Sequence, residues 1–454
     1  MRRRVAVIGG GIAGLAAAVR IRDRAPRDTE IVVYERSGVL GGKLRTGELA
    51  GTTVERGAES FLVGAPDGTE SAAVRFARRL GLGGELVHPA AGQAALAIGG
   101  RLEPISPGTL MGIPRESAGD DGDTGVPLLG ADEDVTVGAL VRARYGDDIV
   151  QRQVDPLLGG VYAGRANQLS LAATMPALAA AARTEHTLTG AVRAAQAATV
   201  RVPGRPVFAT VEGGLSRLVG AAAVASGARI SLGLSVRELA RTARGWRVTL
   251  GPAAAPQVDD VDAVVLAVPA EPASRLLASA RDASGAAAVG DLTYASVALV
   301  AMALPYDTAL PELSGFLVPA SEGTLVKAAT FFTRKWTHLG RDGGPVIIRA
   351  SLGHAGEEER LQRDDPVLTA QAHAELSALL GSSLPLPVAS WVQRWDSALP
   401  QYAVRHLERT ASARAGLPPG LALAGAAYDG VGIPACIASG EAAAEDVCGY
   451  LLDS

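Results

Sequence analysis

Val5-Ala-Val-Ile-Gly-Gly-Gly-Ile-Ala-Gly-Leu15 decides the fold. Val5 to Ile8 form a short, wholly apolar run that suits a strand buried on both faces of a parallel sheet. Gly9, Gly11 and Gly14 then fit G-x-G-x-x-G. The first permits the tight turn, the second lets the backbone approach a pyrophosphate, and the third lets the next helix pack on the sheet. A helix from Ile12 to about Ala25 would aim its N-terminal amides at the phosphates. Ile31-Val-Val-Tyr34 reads as a second strand ending on Glu35, placed to bond a ribose hydroxyl.

The rest of the chain sets bounds. Its 454 residues are 48% hydrophobic and 20% charged, with net charge −4, which predicts a folded protein of two to three domains and argues against nucleic-acid binding. Cys436 and Cys448 make neither C-x-x-C nor a disulfide framework, so a reducing compartment fits. Met1-Arg-Arg-Arg4 before an apolar run mimics a leader, but that run is the fingerprint strand and cannot be cleaved away. No uncharged apolar run approaches the roughly 20 residues that span a bilayer. A cytoplasmic protein is expected, with peripheral membrane association left open.

Arg36 to Arg45 is a Gly-rich loop whose Lys43 and Arg45 could return to the phosphates, and Glu55 to Phe61 is polar and turn-like. Apolar spacing predicts a helix from Ser71 to Leu80, stopped by Gly81. Gly119 to Asp134 reads as an acidic, mobile surface loop without the ligand ladder of a calcium site. Thr136 can cap a helix, and Ala-rich segments from Leu171 to Ala198 extend a helical region. Asp155 to Gly164 is expected as a Gly-rich interruption lining a cavity. After a helix from Leu215 to Ala225, short strands lead to the apolar Ala263-Val-Val-Leu-Ala-Val-Pro269, where the chain rejoins the nucleotide sheet. Tyr294 to Leu304, Thr324 to Phe332 and Val346 to Leu352 suggest a separate antiparallel sheet. Leu421 to Pro434 is a strand and Gly-rich turn, with Pro434 starting a final helix to about Leu451.

An N-terminal fingerprint and a C-terminal strand, loop and helix are what a long, two-ended cofactor requires. The positive end of the last helix would face an isoalloxazine edge, which gains negative charge on reduction. The chain also carries Leu40-Gly-Gly-Lys43, Gly57-Ala-Glu-Ser-Phe61, Pro156-Leu-Leu-Gly-Gly-Val-Tyr-Ala-Gly164, Val211-Glu-Gly-Gly-Leu215, Trp395-Asp-Ser-Ala-Leu-Pro-Gln-Tyr402 and Gly430-Val-Gly-Ile-Pro434. Over nearly its whole length it resembles the flavin-containing amine oxidase superfamily, and more closely the porphyrinogen oxidases of haem biosynthesis.

That resemblance implies an α/β fold: a Rossmann-like FAD-binding domain (1–70, 205–275 and 415–454), a mainly helical insertion (71–204) and an antiparallel-sheet substrate domain (276–414). It implies FAD contacts from Gly9, Gly10, Gly11, Ile12, Ala13, Gly14, Glu35, Arg36, Lys43, Arg45, Gly57, Ala58, Glu59, Ser60, Val236, Trp395, Val431, Gly432, Ile433 and Pro434. The activity implied is six-electron oxidation of coproporphyrinogen III to coproporphyrin III, with oxygen as acceptor and hydrogen peroxide as by-product. Protoporphyrinogen IX oxidase, an amine oxidase or carotenoid desaturase, and a non-enzymatic binding protein on the same fold are the alternatives. A haem-pathway enzyme partner and the oligomeric state stay open.

A porphyrinogen pocket needs apolar walls and cations at the rim. Tyr162, Phe331, Phe332 and Trp336 are the candidate walls; Lys327, Arg334 and Lys335 are the candidate cations. The family's more basic members have a lysine shortly after the segment matching Ser60-Phe-Leu, whereas Val63-Gly-Ala-Pro follows here, which weakens a carboxylate contact at that point. The six histidines show no metal spacing, and neither G-x-S-x-G nor a Walker loop occurs, so no metal, hydrolase or kinase site is expected. No acid-base residue stands out.

Overall fold

The run Arg4–Ile8 becomes the central strand of a five-stranded parallel sheet. Its neighbours are Glu30–Glu35 and Arg229–Leu232 on one side, Ala263–Leu266 and Leu421–Leu423 on the other. The computed structural model describes residues 3–116, 121–200, 202–280, 283–340 and 343–453. Because strand side chains alternate, Val5 and Val7 face helices Ile12–Arg24, Ser216–Ser226 and Ile433–Asp453. Ala6 and Ile8 face helix Ala270–Ser279 and the three strands Val236–Thr242, Gly245–Leu250 and Gln257–Val261. The first and last helices lie against each other so closely that a Cβ on Gly440 would sit 2.0 Å from the Ala13 carbonyl oxygen. That contact brings together two motifs at opposite ends of the sequence.

A seven-stranded sheet forms the second body, in the order Ala389–Pro400, Tyr294–Leu304, Val346–Leu352, Val326–Phe331, Gly315–Leu317, Ala94–Ile98, Arg101–Pro104. All pairings are antiparallel except that of Ala94–Ile98 with Gly315–Leu317. The hairpin 94–104 comes from a stretch read in sequence as mainly helical. Its Ala-rich first strand lacks alternation, and pairing rather than intrinsic preference makes it a strand. Helix Asp365–Leu379 covers one face of this sheet through Leu368, Ala372 and Leu376.

Helices Val137–Tyr145, Asp155–Tyr162, Leu171–Thr174, Pro176–Ala182 and Leu188–Ala197 gather around Leu140, Val154, Leu158, Leu178 and Val192. Thr136, Ser170 and Thr187 cap three of them through side-chain oxygens. Two expectations are corrected here. Asp155 to Tyr162 is a helix, not an interruption: a π-helical turn, Val150–Val154, leads into it, and Pro156 sits in the first turn, where its missing N–H is no loss. The acidic stretch is not a free loop either. Asp121 accepts the Leu188 and Thr189 amides, and Asp134 accepts the Ser170 hydroxyl and the Ala172 and Arg405 amides. Gly119 and Asp120 of that stretch lie outside the described residues. Among the described residues no helix is long and apolar enough to cross a membrane.

Candidate active site

Contacts divide the fingerprint glycines into two kinds. A Cβ on Gly9, at φ +111°, would lie 2.3 Å from the Ala267 oxygen, and one on Gly14 would lie 2.0 Å from the Gly9 oxygen, so the protein itself demands both glycines. Around Gly11 nothing lies within 4 Å of the Cβ position. Space is left at the N-terminus of Ile12–Arg24, in front of a first turn that has no side-chain cap. Open space before uncapped first-turn amides is the arrangement that suits an anionic group. Glu35 is oriented by the amides of Gly10 and Ser37, both at 2.8 Å, at the carboxyl end of its strand. Leu234 donates to the Glu35 carbonyl, which places Val236 just beyond it.

The loop after Glu35 does return: the Gly41 amide donates to the Gly10 carbonyl at 2.8 Å. Arg36 is exposed. Burial pulls the Lys43 ammonium below its ordinary value, and among the described residues it has no hydrogen-bond or ion-pair partner. Such a desolvated cation suits an anionic cofactor. Arg45 instead lies over the Trp395 ring, 5.6 Å from its centroid.

A Cβ on Gly57 would sit 1.9 Å from the Lys43 oxygen, and Ala58 donates to that same oxygen. The Trp395 indole donates to the Arg56 carbonyl at 2.6 Å. Glu59 is clasped by Lys335 on one carboxylate oxygen and by Arg349, at 2.6 Å, on the other; Arg349 also donates to the carbonyls of Glu55 and Gly57. Burial pushes the Glu59 carboxyl up, but the two cations outweigh it and hold it below the usual carboxylate range. No cation pairs directly with the Glu55 carboxylate among the described residues, and burial lifts it to about 7 although Leu215 and Thr46 donate to it and the nearby Arg349 opposes the shift.

At the chain's end, Gly430 has φ +132° and Ile433 opens the last helix, with Pro434 in its first turn. Asp429 binds Arg414 at 2.5 Å and the Ser439 hydroxyl, which in turn accepts the Gly425 amide. The Tyr402 hydroxyl donates to the Ala426 carbonyl, the Tyr402 carbonyl accepts the Ser170 amide, and Gln401 donates to the Tyr162 carbonyl. The sequence Trp395 to Tyr402 therefore joins three bodies: the 55–59 segment, the helical region and the C-terminal loop.

The substrate candidates separate. Phe331, Phe332 and Trp336 are corrected: at 0%, 2% and 1% exposure they are core residues. Phe331 packs edge-on against Phe316, while Phe332 and Trp336 pack with Leu49 and Val54. Lys327 is buried too and donates to the Gly353 carbonyl; Lys335 is taken by Glu59 and Arg334 by Glu312. Tyr162 is half-buried against Tyr402, and burial pushes its phenol up to about 12.

A platform not foreseen from sequence lies on the sheet. Residues directly opposite in antiparallel pairs share a face, so Gln393, Leu299, Ser351, Ala328 and Leu317 form a row across five strands. Arg349 and Trp395 lie on the same face and reach the 55–59 segment. This uncharged row therefore looks toward the dinucleotide-binding body. Arg349 has one signal in the sequence, a lone cation in the apolar run Val346-Ile-Ile-Arg-Ala-Ser-Leu352.

Residues 12–448 match the family model described as flavin containing amine oxidoreductase. The chain belongs to that family. Its cofactor is FAD, and it is an oxidoreductase. A Mycobacterium tuberculosis (strain ATCC 25618 / H37Rv) protein named coproporphyrinogen III oxidase is 36% identical, covering 96% of this chain and 95% of that protein. A Macaca fascicularis protoporphyrinogen oxidase is 31% identical, covering 99% of each. A solved structure from Exiguobacterium sp. 255-15 superposes with TM-score 0.83 at 29% identity over 100% of both chains. Among the described residues no cluster of groups could hold a metal ion.

Proposed function

We propose that this flavoenzyme is an oxygen-dependent coproporphyrinogen III oxidase that forms coproporphyrin III. The observation that carries this is similarity along the whole chain, including the 36% identity to the mycobacterial protein of that name. The uncharged row Leu299, Ser351, Ala328, Leu317 supports it, because the puckered but apolar ring of a porphyrinogen needs a neutral platform whereas an ammonium substrate needs carboxylates or an aromatic cage. FAD, when bound, would supply the hydride acceptor for three two-electron oxidations, with oxygen as the final acceptor and hydrogen peroxide as by-product.

The protein's own work is orientation. Gly11 to Ala13, with Lys43, hold the diphosphate, Glu35 the ribose, and Val236 meets the adenine through its backbone. Gly57 to Ser60, Trp395 and Val431 to Pro434 frame the ring system, and Arg349 fixes the 55–59 segment against the substrate platform. Aerobic turnover of coproporphyrinogen III and protoporphyrinogen IX side by side, followed by porphyrin fluorescence and peroxide release, tests this. Faster oxidation of the first is expected; no gain over autoxidation with either would refute it.

A further inference from the structure

Beside the Gly57 to Ser60 turn stands a surface that the FAD site does not use. Leu62 and Phe208 are directly paired across two antiparallel strands, and their side chains remain 48% and 41% exposed. On the same strand Ala209, Thr210 and Val211 are buried, and Phe208 stands at the strand's open end next to the exposed Val207. By strand alternation Phe208 shares its face with Thr210, which lines a small cavity with Glu55, Glu59 and Trp336. The Lys335 ammonium lies 5.8 Å from the Phe208 ring centroid and 5.4 Å from that of Trp336. Its side chain is 15% exposed, and with Arg349 it puts two cations on the single carboxylate of Glu59.

We infer that Phe208 and Leu62 are a wall of the substrate mouth, and that Lys335 at its foot anchors one carboxylate of an amphiphilic, ring-shaped anion. The chemistry is matched: an exposed aromatic and aliphatic pair covers an apolar ring edge, while an ammonium with a shared counter-ion can accept a second carboxylate. The wall adjoins Ser60, next to Glu59, so a ring resting on it lies beside the cofactor segment. This assignment rests on the porphyrinogen reading above. It replaces the core aromatics as the apolar wall.

Three variants of the FAD-loaded enzyme test it: Phe208→Ser, Lys335→Met and Lys335→Arg, each checked for unchanged flavin content and absorbance. Phe208→Ser is expected to raise KM for coproporphyrinogen III about ten-fold with kcat within about two-fold. Lys335→Met is expected to raise KM similarly and to abolish the rise of KM with salt seen in the wild type, while Lys335→Arg retains both. Because Lys335→Met frees Glu59 from one partner, Leu62→Ser, which touches no charge, serves as a second probe of the wall. Unchanged KM in Phe208→Ser and Leu62→Ser, with wild-type turnover intact, overturns the inference. So does loss of binding to anionic phospholipid vesicles in Phe208→Ser without a KM change, since the wall would then face a membrane. Absence of wild-type turnover with any porphyrinogen would instead overturn the functional reading beneath it.

Discussion

Replacing Lys327 with methionine should stabilise the protein, and do so most at low pH. The side chain is 4% exposed, its ammonium donates to the Gly353 carbonyl at 2.9 Å, and the neighbouring ionisable groups are His354 and Glu357. Burial pulls the amine down from 10.5 to about 7, with Glu357 opposing only in part. The unfolded chain keeps its proton up to the ordinary value, whereas the folded chain releases it near 7. Between those limits the unfolded state binds more protons, so this group's contribution to stability rises with pH. Below about pH 7 the folded state carries a penalty on the order of 4 to 5 kcal/mol. Methionine fills the same unbranched space without charge, at a cost of about 1 kcal/mol for the lost hydrogen bond. Unfolding free energies from urea titrations of the holoenzyme, read by tryptophan fluorescence, should show Lys327→Met ahead of the wild type at about pH 6. That lead should shrink by about 2 to 3 kcal/mol by about pH 9. A difference that stays constant across this range would refute the reasoning.

Gly57→Ala forces a Cβ against the Lys43 oxygen at 1.9 Å, and purified protein is expected to lose most of its flavin absorbance. Gly440→Ala wedges apart the first and last helices, and a drop of about 2 kcal/mol or more in unfolding free energy is expected, with flavin loss. Glu55→Gln keeps an acceptor for the Leu215 amide; it should be neutral below the ordinary value of 4.5 and increasingly stabilising as pH rises to about 7, then level off, because over that interval the unfolded chain ionises while the buried carboxyl keeps its proton. Phe331→Ala, in the sheet core, should cost about 3 to 5 kcal/mol of stability while KM for porphyrinogen stays near the wild-type value.

The fingerprint was legible because its physics is local: four apolar residues, a turn and a helix start are specified within eleven positions, and Glu35 ends the next strand. Pro434 at a helix start and the Thr136 cap were legible for the same reason. What escaped depends on partners distant in sequence. Gly57 looks like any turn glycine until the Lys43 carbonyl arrives beside it. Phe331 ends a strand and Phe332 opens the helical turn after it, and each enters a different buried cluster, so the sequence pattern could not tell a pocket wall from a core. The Asp121 and Asp134 carboxylates read as solvated loop charge, whereas helices formed from later residues supply their amide partners. The uncharged platform exists only through the registers of five strands, none of which is visible along a single one.

Anaerobic mixing of the purified, yellow enzyme with coproporphyrinogen III, followed at the flavin absorbance band, tests the central claim most directly. Bleaching of the flavin on each turnover-competent mixing, with matching growth of porphyrin fluorescence and recovery of the yellow colour when oxygen is admitted, is the predicted result. Flavin that stays oxidised in the presence of the porphyrinogen would contradict it.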